Sequence, residues 1–227
     1  MSAEALKEQA AREATKHVES GMTLGLGTGS TARYAILGIG EMLRRGEIEN
    51  IRAAATSLET ERLATQGGIP LIDVGAEGVD LAIDGMDEVT DDLDVIKGLG
   101  GALLREKIVE SRAQTFILIG DASKRVTRLG EKTPVPAEVL PFGFGATQRD
   151  LEALGCRAVL RQRDGEPTRS DNDNYIVDCH FRGAFDPPEI AAAIIQIPGV
   201  LEHGLFLGMA KIAYIADGER VLRLDRP

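Results

Sequence analysis

Hydrophobic positions along the first half of the chain alternate between two spacings. In the segment 4–19 they recur every three or four residues, which predicts a helix. Short apolar runs that are typical of strands are MTLGLG, IRAAATS, IPLIDV, VDLAID and TFILIG. Between them lie the predicted helices STARYAILGIGEMLRRG, LETERLATQGG and KGLGGALLREKIVESR, the last beginning as a glycine turn. This alternation predicts an α/β fold with a doubly wound, mainly parallel, Rossmann-like sheet.

The pattern changes after Lys132. The segment TPVPAEVLPF is rich in proline and predicted to be extended, as a linker or domain boundary. Beyond it come a helix, two strands and a second helix, in the segments ATQRDLEALG, CRAVLRQ, NYIVDCHF and PPEIAAAIIQIPG. We therefore expect a small α+β domain over residues 132–205. Residues 1–131 together with 206–227 are expected to form the larger, catalytic α/β domain, which the last two strands complete.

Composition limits the class of protein. A chain of 227 residues, 43% hydrophobic and 27% charged, is that of a globular protein with a sizeable core. No apolar run approaches the roughly 18 residues that cross a bilayer, so no membrane association is expected. The N-terminal segment is polar rather than a secretory signal. Cys156 and Cys179 have no metal or redox spacing, so reduced cysteines and a cytoplasmic location are predicted.

The net charge of −10 argues against nucleic acid as a partner, because binding a phosphate backbone requires a basic surface. A small phosphorylated ligand needs only a few local donors, so it remains compatible with this charge.

The segment GLGTGSTA joins a predicted strand to the start of a helix. Unpaired backbone N–H groups and the positive end of the helix dipole make such a loop an anion site. The hydroxyls of Thr28, Ser30 and Thr31 add donors. Because Ser30 occupies the sixth position of G-x-G-x-x-G and no Walker lysine follows, the loop favours a phosphate rather than a nucleotide. An ordinary strand-to-helix turn with a Ser or Thr cap is the alternative.

Acidic residues follow the predicted strand VDLAID. Asp84 lies at its end, and Asp87 and Glu88 come just after it. Open α/β sheets bind ligands at the carboxyl ends of their strands, so these acids are candidates for chemistry. A turn rich in Asp and Gly that caps the next element is the alternative.

Lys97 introduces a second glycine-rich run. Gly98, Gly100 and Gly101 allow the backbone to approach a ligand, and Glu106 lies a few residues into the following helix. Carboxylates and a lysine beside glycine loops are typical of an acid-base site with an anion stabiliser. Glu106 as a solvated helical acid paired with its basic neighbours is the alternative, and spacing alone does not choose between them.

The chain resembles ribose-5-phosphate isomerase of type A. The resemblance rests on GLGTGSTA, TSLETERLA, DLAIDGMDEV, KGLGGALLREKIV and GDASKRV in this order, and it extends through PVPAEVLPF and SDNDNYIVD to IPGVLEHGLF. It implies an isomerase that interconverts D-ribose 5-phosphate and D-ribulose 5-phosphate in the non-oxidative pentose phosphate pathway. It further implies a small-molecule sugar phosphate as substrate, no metal or organic cofactor, and a homodimer or homotetramer.

The resemblance also implies residue roles. Glu106 matches the catalytic base, Lys97 the group that stabilises an enediolate, and Asp84 and Asp87 the acids of ring opening and hydroxyl exchange, their division being open. The positions that match substrate or phosphate binding are Lys7, Gly27, Thr28, Gly29, Ser30, Thr31, Gly98, Gly100, Gly101 and Lys124. The chain departs from the family pattern at Met86, Leu99 and Asp173, none of which is a catalytic position.

Two other classes of function are alternatives. A regulatory domain that binds a sugar phosphate shares the loop but does not need Asp84, Asp87, Lys97 and Glu106 together. A sugar-phosphate lactonase or an amino-sugar phosphate isomerase-deaminase would be expected to carry a histidine in a motif. His17, His180 and His203 lie in none.

Overall fold

A computed structural model of the chain describes residues 2–226. The helices are α1 (Ala3–Thr15), α2 (Ala32–Arg44), α3 (Leu58–Gln66), α4 (Leu103–Glu110), α5 (Phe144–Ala153) and α6 (Pro187–Ile195), with a 3-10 turn at Ala122–Lys124. The strands are β1 (Thr23–Leu26), β2 (Arg52–Ala55), β3 (Val79–Gly85), β4 (Glu88–Val89), β5 (Val95–Ile96), β6 (Ala113–Asp121), β7 (Val135–Val139), β8 (Cys156–Leu160), β9 (Gln162–Arg163), β10 (Glu166–Pro167), β11 (Tyr175–Phe181), β12 (Val200–His203), β13 (Leu205–Phe206), β14 (Ile212–Ala216) and β15 (Val221–Asp225).

The chain divides into two compact units. The first comprises the described residues through Met86, then Arg105–Arg125 and the residues from Gly208 onward. The second comprises Asp87–Leu104 and Val126–Leu207. The domain limits expected from the sequence, at residues 131/132 and 205/206, stay a prediction.

The first unit is built on a six-stranded sheet of order β15-β14-β6-β3-β1-β2. All neighbouring strands are parallel except β14 and β15, which are antiparallel. The predicted mainly parallel α/β sheet is therefore confirmed. Because β1 and β3 are parallel neighbours, with Leu26 opposite Ile83, the loops that follow these two strands leave the same edge of the sheet.

Helices cover both faces of this sheet. On one face, Leu24 and Leu26 of β1 share a buried core with Ala14 of α1 and Ile36 of α2. Gly25 lies between the two leucines and so faces the other way. There Val109 of α4 packs on the strand so closely that a Cβ at Gly25 would lie 2.7 Å from its Cγ1. Glycine at this position allows the helix to reach the backbone of β1.

The segment IPLIDV is not a strand, contrary to the sequence prediction. It contacts the edge strand β2 at a single isolated bridge, between Ala53 and Leu71. Pro70 has no N–H to donate to a longer ladder, and Leu71 and Ile72 are exposed rather than buried. The apolar pattern of this segment therefore reflects a surface edge and not a core strand.

The interpretation of TPVPAEVLPF as a linker is also wrong. Its residues form β7, a fully buried strand in the interior of an antiparallel sheet of order β12-β7-β11-β8 in the second unit. Proline favours extended backbone, which suits a strand as well as a linker. Pro136 contributes its carbonyl, which accepts a hydrogen bond from the N–H of Gly204 at 2.7 Å.

The rest of the second unit packs around that sheet. Val135, Ala137 and Val139 of β7 share a core with Leu151 of α5 and Ile194 of α6. A small three-stranded sheet has the order β13-β5-β4, and β9 and β10 form a hairpin.

Among the described residues, 2–226, no helix has both the length and the hydrophobicity needed to span a bilayer.

Glu88 is a buried acid with a structural role in the second unit. Its carboxylate accepts backbone hydrogen bonds from Gly130 at 2.6 Å, Lys132 at 2.6 Å and Thr133 at 2.5 Å. A side chain 42–45 residues away in sequence thus satisfies three donors of one loop. Buried donors that lose their acceptor keep the cost of their desolvation.

We expect Glu88→Gln to lower the free energy of unfolding by about 2–3 kcal/mol, because the amide presents an N–H₂ group to donors that need an acceptor. Chemical denaturation followed by circular dichroism measures this change. The control is Glu152→Gln at an exposed position of α5, which should stay within about 0.5 kcal/mol of the wild type. Equal stability of the two variants would contradict the structural role of Glu88.

Candidate active site

Asp84 and Gly27 meet at the carboxyl ends of β1 and β3 in the first unit. The Asp84 side chain is buried, and its Oδ1 accepts from the N–H of Thr28 at 2.9 Å and of Gly85 at 2.6 Å. A Cβ built on Gly27 would lie 2.0 Å from the same oxygen. Gly27 is therefore required by the carboxylate of Asp84. The sequence indicates only a ligand-binding role for this glycine, because the strand register that brings it to Asp84 is not visible in one sequence.

The hydroxyl of Thr28 points into the fold. Its Oγ1 lies 2.7 Å from Thr56 Oγ1, 2.9 Å from Ser57 Oγ and 3.3 Å from Thr60 Oγ1. Thr60 in turn donates to the carbonyl of Gly27 at 2.8 Å. The segment TSLET thus anchors the glycine loop through a cluster of hydroxyls, a role that the loop sequence alone does not indicate.

Ser30 and Thr31 lie at the start of α2, which begins at Ala32. Thr31 occupies the cap position, but its side chain makes no capping hydrogen bond. Among residues 2–226, no backbone acceptor or side chain receives the N–H groups of Gly29, Ser30 and Thr31. This geometry disfavours the alternative interpretation, an ordinary strand-to-helix turn with a Ser or Thr cap. Free N–H groups at the positive end of a helix form a binding site for an anion.

Two lysines of the predicted site belong to this unit. The Nζ atom of Lys7 is 2.7 Å from Glu4 Oε1, and Tyr34 also donates to Glu4, at 2.6 Å. Hydrogen bonds from Lys7 and Tyr34 hold the pKa of Glu4 below its usual value, so this acid is ionised at neutral pH. Lys124 ends the 3-10 turn after β6, and its Cγ lies 3.6 Å from the position of a Cβ on Gly120.

Glu106 lies in the first turn of α4 and is 5% exposed. Its alternative interpretation, a solvated acid on a helix surface, is wrong because the side chain is buried. The neighbouring Arg105 forms an ion pair with Glu61 at 3.7 Å. A carboxylate in the first turn of a helix is stabilised by the helix dipole. The structure therefore places the Glu106 side chain in the interior, at the end of α4 that favours an anion.

Lys97 and Asp87 belong to the second unit. Lys97 follows β5, is almost fully buried, and has its Nζ 5.6 Å above the ring of Phe206. The backbone N–H of Lys97 donates to the carbonyl of Gly204 at 2.9 Å. Asp87 accepts from the N–H of Leu99 at 2.9 Å through Oδ2. The acid thus supports the loop that follows the lysine.

The glycines of that loop are not equivalent. Gly98 has φ of 105° and Gly101 has φ of 81°, which side chains rarely adopt. No atom lies within 4 Å of the Cβ position of Gly100, so this residue faces open space. Leu99 has no positive φ and is 41% exposed, which explains why the chain accepts leucine where the family pattern has glycine.

The other two departures are accommodated in different ways. Met86 is buried, and its Cε would lie 2.6 Å from a Cβ on Gly120, so the methionine packs directly on that glycine. Asp173 adopts φ of 64°, a left-handed conformation in which Asp is among the better tolerated residues. In the part of the chain that the structure describes, no group of three or more His, Cys, Asp or Glu side chains is arranged to hold a metal ion.

Comparison with known proteins assigns the family. The model of ribose 5-phosphate isomerase A (phosphoriboisomerase A) matches residues 52–220. A ribose-5-phosphate isomerase A from Roseiflexus sp. (strain RS-1) is 47% identical over 223 residues, which cover 97% of this chain and 96% of the relative. The chain belongs to the ribose 5-phosphate isomerase A family. The family and the enzyme class, an isomerase, are as predicted from the sequence.

Solved structures of the family agree with the fold. A D-ribose-5-phosphate isomerase in complex with phospho-erythronic acid is 41% identical, with a TM-score of 0.96 and 100% of both chains covered. The ribose 5-phosphate isomerase from Plasmodium falciparum is 39% identical, with a TM-score of 0.95 and 98% of both chains covered. The predicted α/β fold class is confirmed.

We expect Gly27→Ala to reduce isomerase activity by about 100-fold or more, because the new methyl group must displace the Asp84 carboxylate. Steady-state kinetics of the purified variant measures the loss. The matched control is Gly75→Ala, since no atom lies within 4 Å of the Cβ position there. Wild-type activity in Gly27→Ala would show that the position of Asp84 is not critical.

Proposed function

We propose that this chain interconverts D-ribose 5-phosphate and D-ribulose 5-phosphate through an enediolate, with Glu106 as the base. The reaction is that of its family, and the burial of Glu106 is the observation that carries the assignment of the base. Glu106 removes the proton from C2 of the open-chain aldose and returns it to C1, and the reverse reaction uses the same group. A carboxylate shielded from water is a stronger base than one at the surface.

Lys97 stabilises the negative charge that develops on the substrate oxygens. An ammonium group already stripped of water interacts with an oxyanion more strongly than a solvated one does. Burial of Lys97 below the protein surface supports this role. Asp84 and Asp87 carry the protons of the hydroxyl groups and of the ring oxygen during ring opening. Each has one carboxylate oxygen bound by a backbone N–H, which fixes its orientation.

The phosphate of the substrate binds the loop at the start of α2. Its donors are the N–H groups of Gly29, Ser30 and Thr31 and the hydroxyls of Ser30 and Thr31, which suit a compact tetrahedral anion. Lys7 and Lys124 supply positive charge. Thr28 shapes the loop through its hydroxyl cluster. Gly98, Gly100 and Gly101 let the backbone after Lys97 approach the sugar.

Phospho-erythronic acid is a suitable probe of this proposal, since it was bound by a relative of this chain. It carries a phosphate at one end and a carboxylate at the other. The planar carboxylate has the charge and two oxygens of the enediolate, so we expect competitive inhibition of this chain by the same compound.

We further propose that the chain acts in the cytoplasm as a homodimer or homotetramer. Cys156 and Cys179 are both free thiols, in keeping with a reducing compartment. In the second unit, Phe142 is 88% exposed and Leu140 is exposed two residues before it. Exposed large apolar side chains of this kind support an interface between subunits.

We expect Glu106→Gln to lower kcat by roughly 10²- to 10⁴-fold, because the amide keeps the shape of the side chain and cannot accept the carbon-bound proton. The assay is conversion of ribose 5-phosphate to ribulose 5-phosphate with a chelator present. The control is Glu59→Gln, an exposed acid in the first turn of α3. Near wild-type turnover in Glu106→Gln would exclude this residue as the base.

We expect Thr31→Val to raise KM for ribose 5-phosphate about 10-fold or more and to change kcat by less than about threefold. The phosphate is bound equally in the ground and transition states, so losing one of its donors weakens both. Thr65→Val, at an exposed position of α3, is the control. Inorganic phosphate should inhibit Thr31→Val more weakly than the wild type. A fall in kcat with unchanged KM would remove Thr31 from the phosphate site.

A further inference from the structure

Several hydrogen bonds within the second unit hold the loop from Lys97 to Gly101. The N–H of Gly101 donates to the carbonyl of Gly98 at 3.0 Å, which closes the turn. The N–H of Leu99 donates to Oδ2 of Asp87 at 2.9 Å. The carbonyls of Gly98 and Leu99 both accept from Nη1 of Arg161, at 3.0 and 2.8 Å. One guanidinium nitrogen therefore fixes two consecutive peptide planes.

Arg161 is itself fixed by Asp178 of β11. Its Nε donates to Asp178 Oδ2 at 2.9 Å and its Nη2 to Oδ1 at 2.5 Å, which is the bidentate geometry of a strong ion pair. The side chain of Arg161 is 15% exposed. Its backbone N–H donates to the carbonyl of Ile176 at 2.8 Å. The guanidinium thus has little freedom and acts as a rigid support for the loop.

Because Arg161 fixes the Leu99 carbonyl, it also fixes the direction of the Gly100 N–H. All described peptide bonds are trans, so the N–H of Gly100 points away from the carbonyl of Leu99 and from Arg161. No acceptor for this N–H is present among residues 2–226, and Gly100 faces open space. An oriented N–H group of this kind is suited to a developing oxyanion.

We propose that Arg161, fixed by Asp178, is a positioning residue for catalysis: it holds the peptides of Gly98 and Leu99 so that the N–H of Gly100 is presented to the substrate. The inference rests on the proposed function, in which this loop binds the sugar. Arg161 acts through the loop and transfers no proton. Lysine cannot replace it, because a single ammonium group cannot bind a carboxylate in a bidentate manner and two carbonyls at once.

The first test is kinetic. We expect Arg161→Ala and Arg161→Lys to lower kcat for ribose 5-phosphate about 10- to 100-fold, with KM changed less than about threefold, because the phosphate loop lies in the other unit. The pH profile of kcat/KM should stay that of the wild type, since Glu106 is intact. Low concentrations of guanidinium chloride should restore part of the activity of Arg161→Ala, relative to equal sodium chloride. The control is Arg163→Ala, an exposed arginine two residues further along.

Asp178→Asn should lower kcat in the same direction. The double variant Arg161→Ala/Asp178→Asn should be no slower than Arg161→Ala alone, because Asp178 acts through Arg161. Losses that multiply in the double variant would overturn the link between the two residues. A kcat of Arg161→Ala within about threefold of the Arg163→Ala value would overturn the positioning role itself.

The second test does not depend on activity. Amide hydrogen exchange of the segment 97–101 should be at least about tenfold faster in Arg161→Ala than in Arg163→Ala, while exchange in the β7 and β11 strands stays slow. Unchanged exchange in the loop would overturn the inference even if the enzyme is active. If the wild type failed to isomerise ribose 5-phosphate, the proposed function would be wrong, and the exchange result would still decide whether Arg161 orders the loop.

Discussion

The contact between the Asp84 carboxylate and Gly27 is the constraint on which the arrangement of the candidate residues in the first unit depends. The parallel register of β1 and β3 brings the carboxylate to the place where any other residue would have its Cβ. Asp84 then fixes the N–H of Thr28, the first residue of the turn toward α2. The direction of the chain at Thr28 decides where the N–H groups of the next residues point. One close approach therefore sets both the position of a buried acid and the direction of the N–H groups in the proposed phosphate site.

In the second unit, another aspartate, Asp87, orders a loop through a backbone hydrogen bond. Asp87 holds the N–H of Leu99, as Asp84 holds that of Thr28, so each acid orders a glycine-containing loop. The two aspartates consequently have a structural task besides any proton transfer. Replacing either by asparagine removes a proton acceptor and loosens a loop at once. The resulting loss of rate is not a measure of acid-base catalysis alone, because effects of residues that act as a unit are not additive.

Sequence patterns predicted the elements that periodicity and end signals define, such as α3, which ends at Gln66 with the expected Gly67 as its C-cap. They failed where a pattern has two physical meanings. Proline favours both linkers and strands, and TPVPAEVLPF became the buried strand β7. The residue types of the candidate site were visible in short motifs. The residues that support the candidate site were not visible in these motifs. The hydroxyl of Thr56 contacts Thr28, and the guanidinium of Arg161 contacts Gly98, only because folding brings distant segments together.

The net charge of −10 is compatible with an anionic substrate because the proposed phosphate site relies mainly on dipoles. Backbone N–H groups at the start of α2 do not titrate, and their contribution is local to the first turn of the helix. Lys7 is paired with Glu4, so phosphate binding in the proposed site would exchange one anionic partner of this lysine for another. A negative net charge therefore argues against binding of an extended polyanion but not against binding of a single small anion. A nucleic acid requires a basic surface over many phosphates, whereas the proposed site for one phosphate consists of a helix end, two hydroxyls and two lysines.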